Sequence, residues 1–254
     1  AAQGEFPRCV FAPKNARDAF YLTIKAFNIA EKYQLPVIIL SDQYLADSIQ
    51  TFKKFDLSGI KIERGILTDG ELRKIKDYKR HLFTESGISP RAYPSQVDTV
   101  VVTDSDEHAE DGHLTEGLEI RVKMTEKRLK KLEGLKEEIA EPEIYGNRDA
   151  KTMLIGWGST HGVIREVVDI LTNRGKSVNM MQFSEIWPFL AEYVSKILDK
   201  PEKSFVIENN ATGQLARVIR TETGRMVSGK ILKYDGRPFT PEYIIRELEV
   251  QGGI

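Results

Sequence analysis

The stretch from Ser204 to Arg217 constrains the fold more than any other part of the chain. Phe205, Val206 and Ile207 form a short apolar, β-prone run, the pattern of a strand buried in a parallel sheet. Glu208, Asn209, Asn210, Ala211, Thr212 and Gly213 follow at once, and Leu215, Val218 and Ile219 then recur at helical spacing. A carboxylate, two amides and a hydroxyl are thereby packed into one strand-to-helix turn. In an open α/β sheet such turns lie at the carboxyl edge of the strands, where ligands and partner domains dock. Asn and Thr are also favoured helix caps. The turn therefore has two readings, a cap or a docking edge. Glu208, Asn209, Asn210, Thr212 and Gln214 are its candidate site residues.

The same rhythm extends over residues 150–254. Thr152–Ile155 and Ser177–Phe183 read as strands, and Gly162–Asn173 and Leu190–Leu198 as helices. Ile231–Tyr234 reads as an edge strand, and Thr240-Pro241-Glu242 starts a last helix with proline at its first position. Such alternation predicts an α/β fold with mainly parallel open sheets and helices on both faces. Residues 1–47 read as strand, helix, strand, too few elements to bury a core alone, and hence as the C-terminal part of another α/β domain. Asn15 caps that helix, Asp18 sits in its first turn, and Phe20, Ile24 and Phe27 mark its apolar face. Val37–Leu40 reads as a buried parallel strand.

Residues 48–149 are a charged connection. It holds a short strand within Val97–Thr103 and a long helix over Thr115–Ala140. Leu118, Val122, Thr125, Leu129 and Leu132 set that helix's apolar rhythm, and its Glu, Lys and Arg residues read as solvated faces without a binding role. The start at Ala1 lacks an initiator Met, which suggests that the text begins inside a longer polypeptide.

Composition removes several function classes. Lys and Arg number 37 against 38 Asp and Glu, so no basic field argues for nucleic acid. The longest apolar runs, such as Leu35–Leu40, are too short to span a bilayer, and no signal segment is visible, which points to the cytoplasm. Cys9 is the single cysteine, so neither an internal disulfide nor a tetrathiolate zinc or iron–sulfur site fits within one chain.

Two constellations suggest chemistry. Gly156-Trp157-Gly158-Ser159-Thr160-His161-Gly162 is a glycine-rich turn into a helix, where backbone amides can hold an anion. Its G-x-G-x-x-x-G spacing departs from the dinucleotide fingerprint, and no acidic residue closes the next strand. A non-catalytic α/β module binding an anion or nucleotide at Gly156–Gly162 stands as the alternative reading. The run Asp104–His113 sets His108 and His113 among five carboxylates, a donor set suited to a divalent transition metal. It contains neither H-x-x-x-H nor H-E-x-x-H, which leaves a metal-dependent hydrolase as a third reading.

Glu208 to Ala216 resembles a signature in the alpha subunit of the 2-oxoacid:ferredoxin oxidoreductases, most closely the 2-oxoglutarate branch. Gly4-Glu5-Phe6-Pro7-Arg8, Ala26–Tyr33, Leu40–Leu45, Gly87–Ala92, Asp106-Glu107-His108 with Gly112-His113, and Glu126-Lys127-Arg128 agree with that family in one order along nearly the whole chain. The resemblance implies the end of a thiamine diphosphate pyrimidine domain followed by a transketolase C-terminal-like domain. It implies oxidative decarboxylation of a 2-oxoacid to an acyl-coenzyme A, with ferredoxin as electron acceptor. It further implies thiamine diphosphate and Mg shared with a beta subunit, iron–sulfur clusters on partner subunits only, and gamma and delta subunits as further candidate partners. In that family the acidic loop recurs near the assembled active centre, which makes Asp106, Glu107, His108 and His113 candidates for an interface or the active-site mouth. The family's Tyr-Pro-Ile-Thr-Pro motif and the segment of its cofactor-activating glutamate are absent from this sequence. Asp235-Gly236 lacks the rest of a G-D-G…N metal–diphosphate motif. No catalytic, cofactor or metal residue is therefore assigned, and the chain by itself is expected to be inactive.

Overall fold

Strand β1 (Cys9–Phe11), helix α1 (Ala16–Tyr33) and strand β2 (Val37–Ile39) open the computed structural model, which describes residues 4–98 and 100–254. Asn15 starts α1 as its sequence predicts: its side-chain oxygen accepts from the Asp18 amide at 2.9 Å. The buried face of α1 differs from the expected one. Leu22, Ala26, Ile29 and Tyr33 are buried, whereas Phe27 is 69% exposed. Phe20 stacks instead on Phe55, with ring centroids 3.9 Å apart. Strand β2 forms where expected, but Ile38, Ile39 and Leu40 are exposed rather than buried.

Within the charged connection lie two short helices, α2 (Gln43–Asp47) and α3 (Asp69–Leu72), and the long helix α4 (Leu118–Glu138). Asp42 caps α2 by accepting from the Leu45 amide at 2.8 Å, and Thr68 with Glu71 forms a capping box on α3. No strand is found among the described residues of Val97–Thr103; Thr99 lies outside them. Among the described residues the run of three valines has no neighbouring strand to pair with, and Val100 is exposed. Helix α4 turns the opposite way from the expected one. Leu118, Val122 and Leu129 are exposed, and Met124, Lys127, Lys131 and Leu135 are buried. No helix among the described residues is long and apolar enough to cross a membrane.

The remaining chain holds β3 (Glu143–Gly146), β4 (Thr152–Trp157), α5 (His161–Asn173), β5 (Val178–Phe183), β6 (Glu185–Trp187), α6 (Ala191–Leu198), β7 (Lys203–Glu208), α7 (Gln214–Thr223), β8 (Gly229–Leu232) and α8 (Pro241–Val250). Five strands form a sheet in the order β3-β5-β4-β7-β8. Only β3, absent from the sequence reading, runs antiparallel, against β5; the other pairings are parallel. Side-chain alternation splits the core in two. Leu154, Met180, Phe205 and Ile207 pack beneath α5 and α8, while Met153, Ile155, Met181 and Val206 pack beneath α6 and α7. Helices thus cover both faces of a mainly parallel sheet, as the alternation of elements predicts. Strands β1 and β6 form a further antiparallel pair, with Val10 opposite Trp187.

The chain forms two compact units. One comprises residues up to Cys9, Ile24–Ile38 and Leu57–Glu138; the other comprises Val10–Thr23, Ile39–Asp56 and Ile139–Ile254.

Candidate functional site

In the unit built on the five-stranded sheet, the turn after β7 is a dense set of hydrogen bonds. The fully buried Glu208 carboxylate accepts from the Trp157 indole at 3.1 Å, the Asn210 amide group at 2.7 Å, and the backbone amides of Leu215 at 2.9 Å and Ala216 at 3.2 Å. Asn210 Oδ1 in turn accepts from the backbone amides of Thr212, Gly213 and Gln214 at 3.2, 2.8 and 3.2 Å. Two side chains therefore divide the open amides at the start of α7 between them, and a negative charge sits where the helix dipole favours it. Gly213 makes the turn feasible: its φ is +64°, and a β-carbon there would stand 3.1 Å from Lys230 Cδ. Asn209, Thr212 and Gln214 remain exposed. Asn209 makes one long contact, 3.4 Å to the Lys233 carbonyl.

The glycine-rich turn after β4 closes on itself. A β-carbon on Gly156 would fall 2.3 Å from Ile164 Cδ1 and 2.7 Å from Thr160 Oγ1, so this glycine permits close packing of strand and helix. Thr160 donates its hydroxyl to the Trp157 carbonyl at 2.8 Å and accepts from the Trp157 amide at 3.2 Å, while Ser159 donates to the Asp42 carboxylate. Beside this turn lies an open cavity of about 1030 Å³ whose rim includes Lys14, Asp42, His161, Glu166, Lys233 and Arg237. Its charges are of both signs. Lys14 already pairs with Glu143 and Lys233 with Asp235. Burial pushes the His161 imidazole below its ordinary range, against the opposing pull of Glu143 at 3.6 Å.

The other unit contains the acidic loop. Glu107 is gripped by Arg121 and Arg128. Burial alone would raise its pKa, but these guanidinium hydrogen bonds outweigh it and hold the carboxyl at about 2. His108 lies against His81, ring centroids 4.0 Å apart, and its Nδ1 is 3.1 Å from the Asp106 carbonyl. His113 is exposed and stands 3.3 Å from Asp111. The structure thus brings Glu107 and His108 onto α4 and the His81 segment, and leaves Asp106 and His113 outside. Among the described residues no three His, Cys, Asp or Glu side chains are gathered as a metal site requires. Arg80, His81 and Lys131 have no place among the residues singled out in the sequence, and Lys127 stands there only within the Glu126-Lys127-Arg128 family match. The one available signal was the spacing of Met124, Lys127, Lys131 and Leu135 along α4, in which two of the four residues are charged.

Residues 1–127 match the family profile described as "Pyruvate flavodoxin/ferredoxin oxidoreductase, thiamine diP-bdg", and residues 150–244 match "Pyruvate:ferredoxin oxidoreductase core domain II". The chain is 40% identical over 245 residues to "2-oxoacid:ferredoxin oxidoreductase 1, subunit alpha" of Sulfurisphaera tokodaii, an alignment covering 94% of this chain and 38% of that protein. It is 23% identical over 251 residues to the "2-oxoglutarate synthase subunit KorA" of Archaeoglobus fulgidus, covering 98% of this chain and 62% of that one. Among solved structures, the 2-oxoglutarate:ferredoxin oxidoreductase of Magnetococcus marinus, with 2-oxoglutarate, coenzyme A and succinyl-CoA bound, superposes with a TM-score of 0.90 at 32% identity. That match covers 98% of this chain and 43% of the other.

Proposed function

The chain belongs to the alpha subunits of the 2-oxoacid:ferredoxin oxidoreductases, and from that premise we propose that it serves as part of the alpha subunit of a thiamine-diphosphate-dependent enzyme in the cytoplasm. The reaction is the oxidative decarboxylation of a 2-oxoacid: the acyl group passes to coenzyme A, CO₂ leaves, and ferredoxin takes up the electrons. The single observation that carries this reading is the superposition of nearly the whole chain on the Magnetococcus enzyme. The ligands in that structure also support 2-oxoglutarate as the substrate. Residues 1–47, 48–149 and 150–254 are the functional divisions within this reading.

The residues at hand do not by themselves form a thiamine diphosphate site. Activation of the cofactor's pyrimidine needs a buried carboxylate that faces it, and the one fully buried carboxylate among the described residues is Glu208. Its oxygens are engaged by Trp157, Asn210, Leu215 and Ala216. No chemical step is assigned to this chain's side chains. Cofactor, Mg and iron–sulfur clusters fall to the assembled enzyme, with a beta subunit as the main partner and gamma and delta subunits as further ones. Asp106, Glu107, His108 and His113, together with the exposed Asn209, Thr212 and Gln214, are assigned to the beta-subunit contact or the active-site mouth. Glu208 and Asn210 hold the second of these edges in shape.

Assayed alone, the chain should show no 2-oxoacid-dependent reduction of a viologen dye. The assembled enzyme should reduce the dye with 2-oxoglutarate in preference to pyruvate. Turnover by the isolated chain would overturn the assignment, and a preference for pyruvate would overturn the substrate.

A further inference from the structure

A smaller cavity, of about 220 Å³, lies within the unit that contains α4 and is lined by Arg80, His81, His108, Lys127, Arg128 and Lys131. It has room for about seven water molecules. Lys127 and Lys131 stand four residues apart and so share one face of α4; their relative exposures are only 9% and 8%. Each cation is held by a neutral acceptor. Lys127 donates to the His81 carbonyl at 2.6 Å, Lys131 to the Gln34 carbonyl at 3.0 Å, and Arg80 to Gln34 Oε1 at 2.8 Å. Among the described residues none of these three forms an ion pair. Arg128 does so with Glu107, which Arg121 also holds. Glu110 accepts from the Phe83 amide at 2.8 Å and lies 3.9 Å from Lys79.

Buried cations without a counter-charge are costly, and several gathered around one space repel each other. A negative charge between them would relieve both costs. An ammonium has three donors and a guanidinium five, so each group keeps further N–H bonds to offer beyond the one described. We propose that this cavity binds a compact, doubly charged oxyanion of the phosphate class, held by Lys127, Lys131 and Arg80 with Arg128 at its edge. A single carboxylate would offset one charge, whereas a phosphate dianion offsets two and presents strong acceptor oxygens to donors from several directions. The inference stands on this cavity alone and does not depend on the oxidoreductase reading.

The protonation states agree. Burial first, then His108 and the cations Arg80, Lys127 and Arg128, holds the His81 imidazole at about 3, so it stays neutral. Lys127 is pushed down to about 8 by burial and then by Lys131, Arg128 and Arg80, against Glu110; Lys131 is pushed to about 8 by burial, Arg80 and Arg128. A bound dianion favours the charged lysines. Binding near pH 8 therefore takes up protons, and affinity declines as pH rises further.

The test is calorimetric titration of the full chain with inorganic phosphate and with pyrophosphate at moderate salt. Expected are saturable one-site binding, proton uptake near pH 8, and a loss of about tenfold in affinity for Lys127→Met or Lys131→Met. Lys131→Arg should retain binding, and Lys130→Met, on the exposed side of the same helix, should leave it unchanged. Should the Met variants fail to fold, phosphate-dependent thermal stabilisation of the unaltered chain, retained by Lys131→Arg, decides the matter. Absence of saturable binding overturns the proposal, as does equal weakening by Lys130→Met and Lys131→Met. So does unchanged phosphate binding in Met variants that no longer assemble with a partner, since an acidic side chain of that partner would then be the occupant.

Discussion

Replacing Glu208 with Ala would leave the Trp157 indole and the amides of Leu215 and Ala216 without an acceptor at a site closed to water. The expected loss is about 3–5 kcal/mol. Asn210→Ala removes a cap that serves three amides nearer the surface and should cost about 1–2 kcal/mol. Asn209→Ala should stay within about 0.5 kcal/mol. Denaturant unfolding of the three variants checks this order, and equal losses at Asn209 and Asn210 would contradict it. A second residue-scale prediction concerns pH. Lys127 and Lys131 have an ordinary value of 10.5 and about 8 in the fold. Between these values the unfolded chain binds more protons than the folded one, so stability rises with pH. Tyr33, whose hydroxyl burial and Glu138 push upward, acts in the opposite sense only above its ordinary 10. Melting temperature should therefore increase from about pH 8 to about pH 10, and Lys127→Met combined with Lys131→Met should flatten the rise. Glu107 works at the other end: its contribution is lost as pH falls from its ordinary 4.5 toward about 2, and Glu107→Gln should remove that acid dependence.

At the scale of elements, the four parallel strands of the larger sheet and their helices were legible because each carries its own period. Phe205 and Ile207 alternate with Val206, and α5, α7 and α8 repeat their apolar residues at helical spacing. Strand β3 was not legible, since four residues at an antiparallel edge need only one partner and little apolar character. Helices α1 and α4 were found, but each with the wrong face inward. In α1 Phe20 and Phe27 carry the larger apolar side chains, yet Leu22, Ala26, Ile29 and Tyr33, which keep the same four-three spacing two positions later, are the buried ones. In α4 the buried face includes two lysines, and lysine reads as solvent-facing unless its partners are known. Those partners, His81 and Gln34, are 46 and 97 residues away in sequence. The candidate turn at Glu208 was legible as a polar cluster, though not in its division between buried capping groups and exposed ones. Ile29→Ala should cost about 2–5 kcal/mol, while Phe27→Ser should stay within about 0.5 kcal/mol. Comparable losses at the two sites would restore the sequence-based face of α1.

For the whole molecule, family membership was readable because short matches fall in one order along most of the chain, whereas the chemistry was not. The chain spans about 38% of the length of its Sulfurisphaera relative, and the buried carboxylate it offers is already engaged in a turn. What it does present is apolar surface. Ile39, Leu40, Tyr44, Ile49 and Phe52 are all exposed within a span of 14 residues, although all but Tyr44 are residue types that ordinarily fill cores. Apolar side chains left in water favour association where they meet in one patch. In isolation the same surface should drive weak self-association. Sedimentation velocity should show reversible association at about micromolar concentration, weakened by Leu40→Lys combined with Ile49→Lys. Because both side chains are exposed, the paired change should leave the melting temperature nearly unaltered. A chain that stays monomeric throughout, or a variant that associates as strongly as the parent, would show that the 39–52 span is ordinary solvent-facing surface.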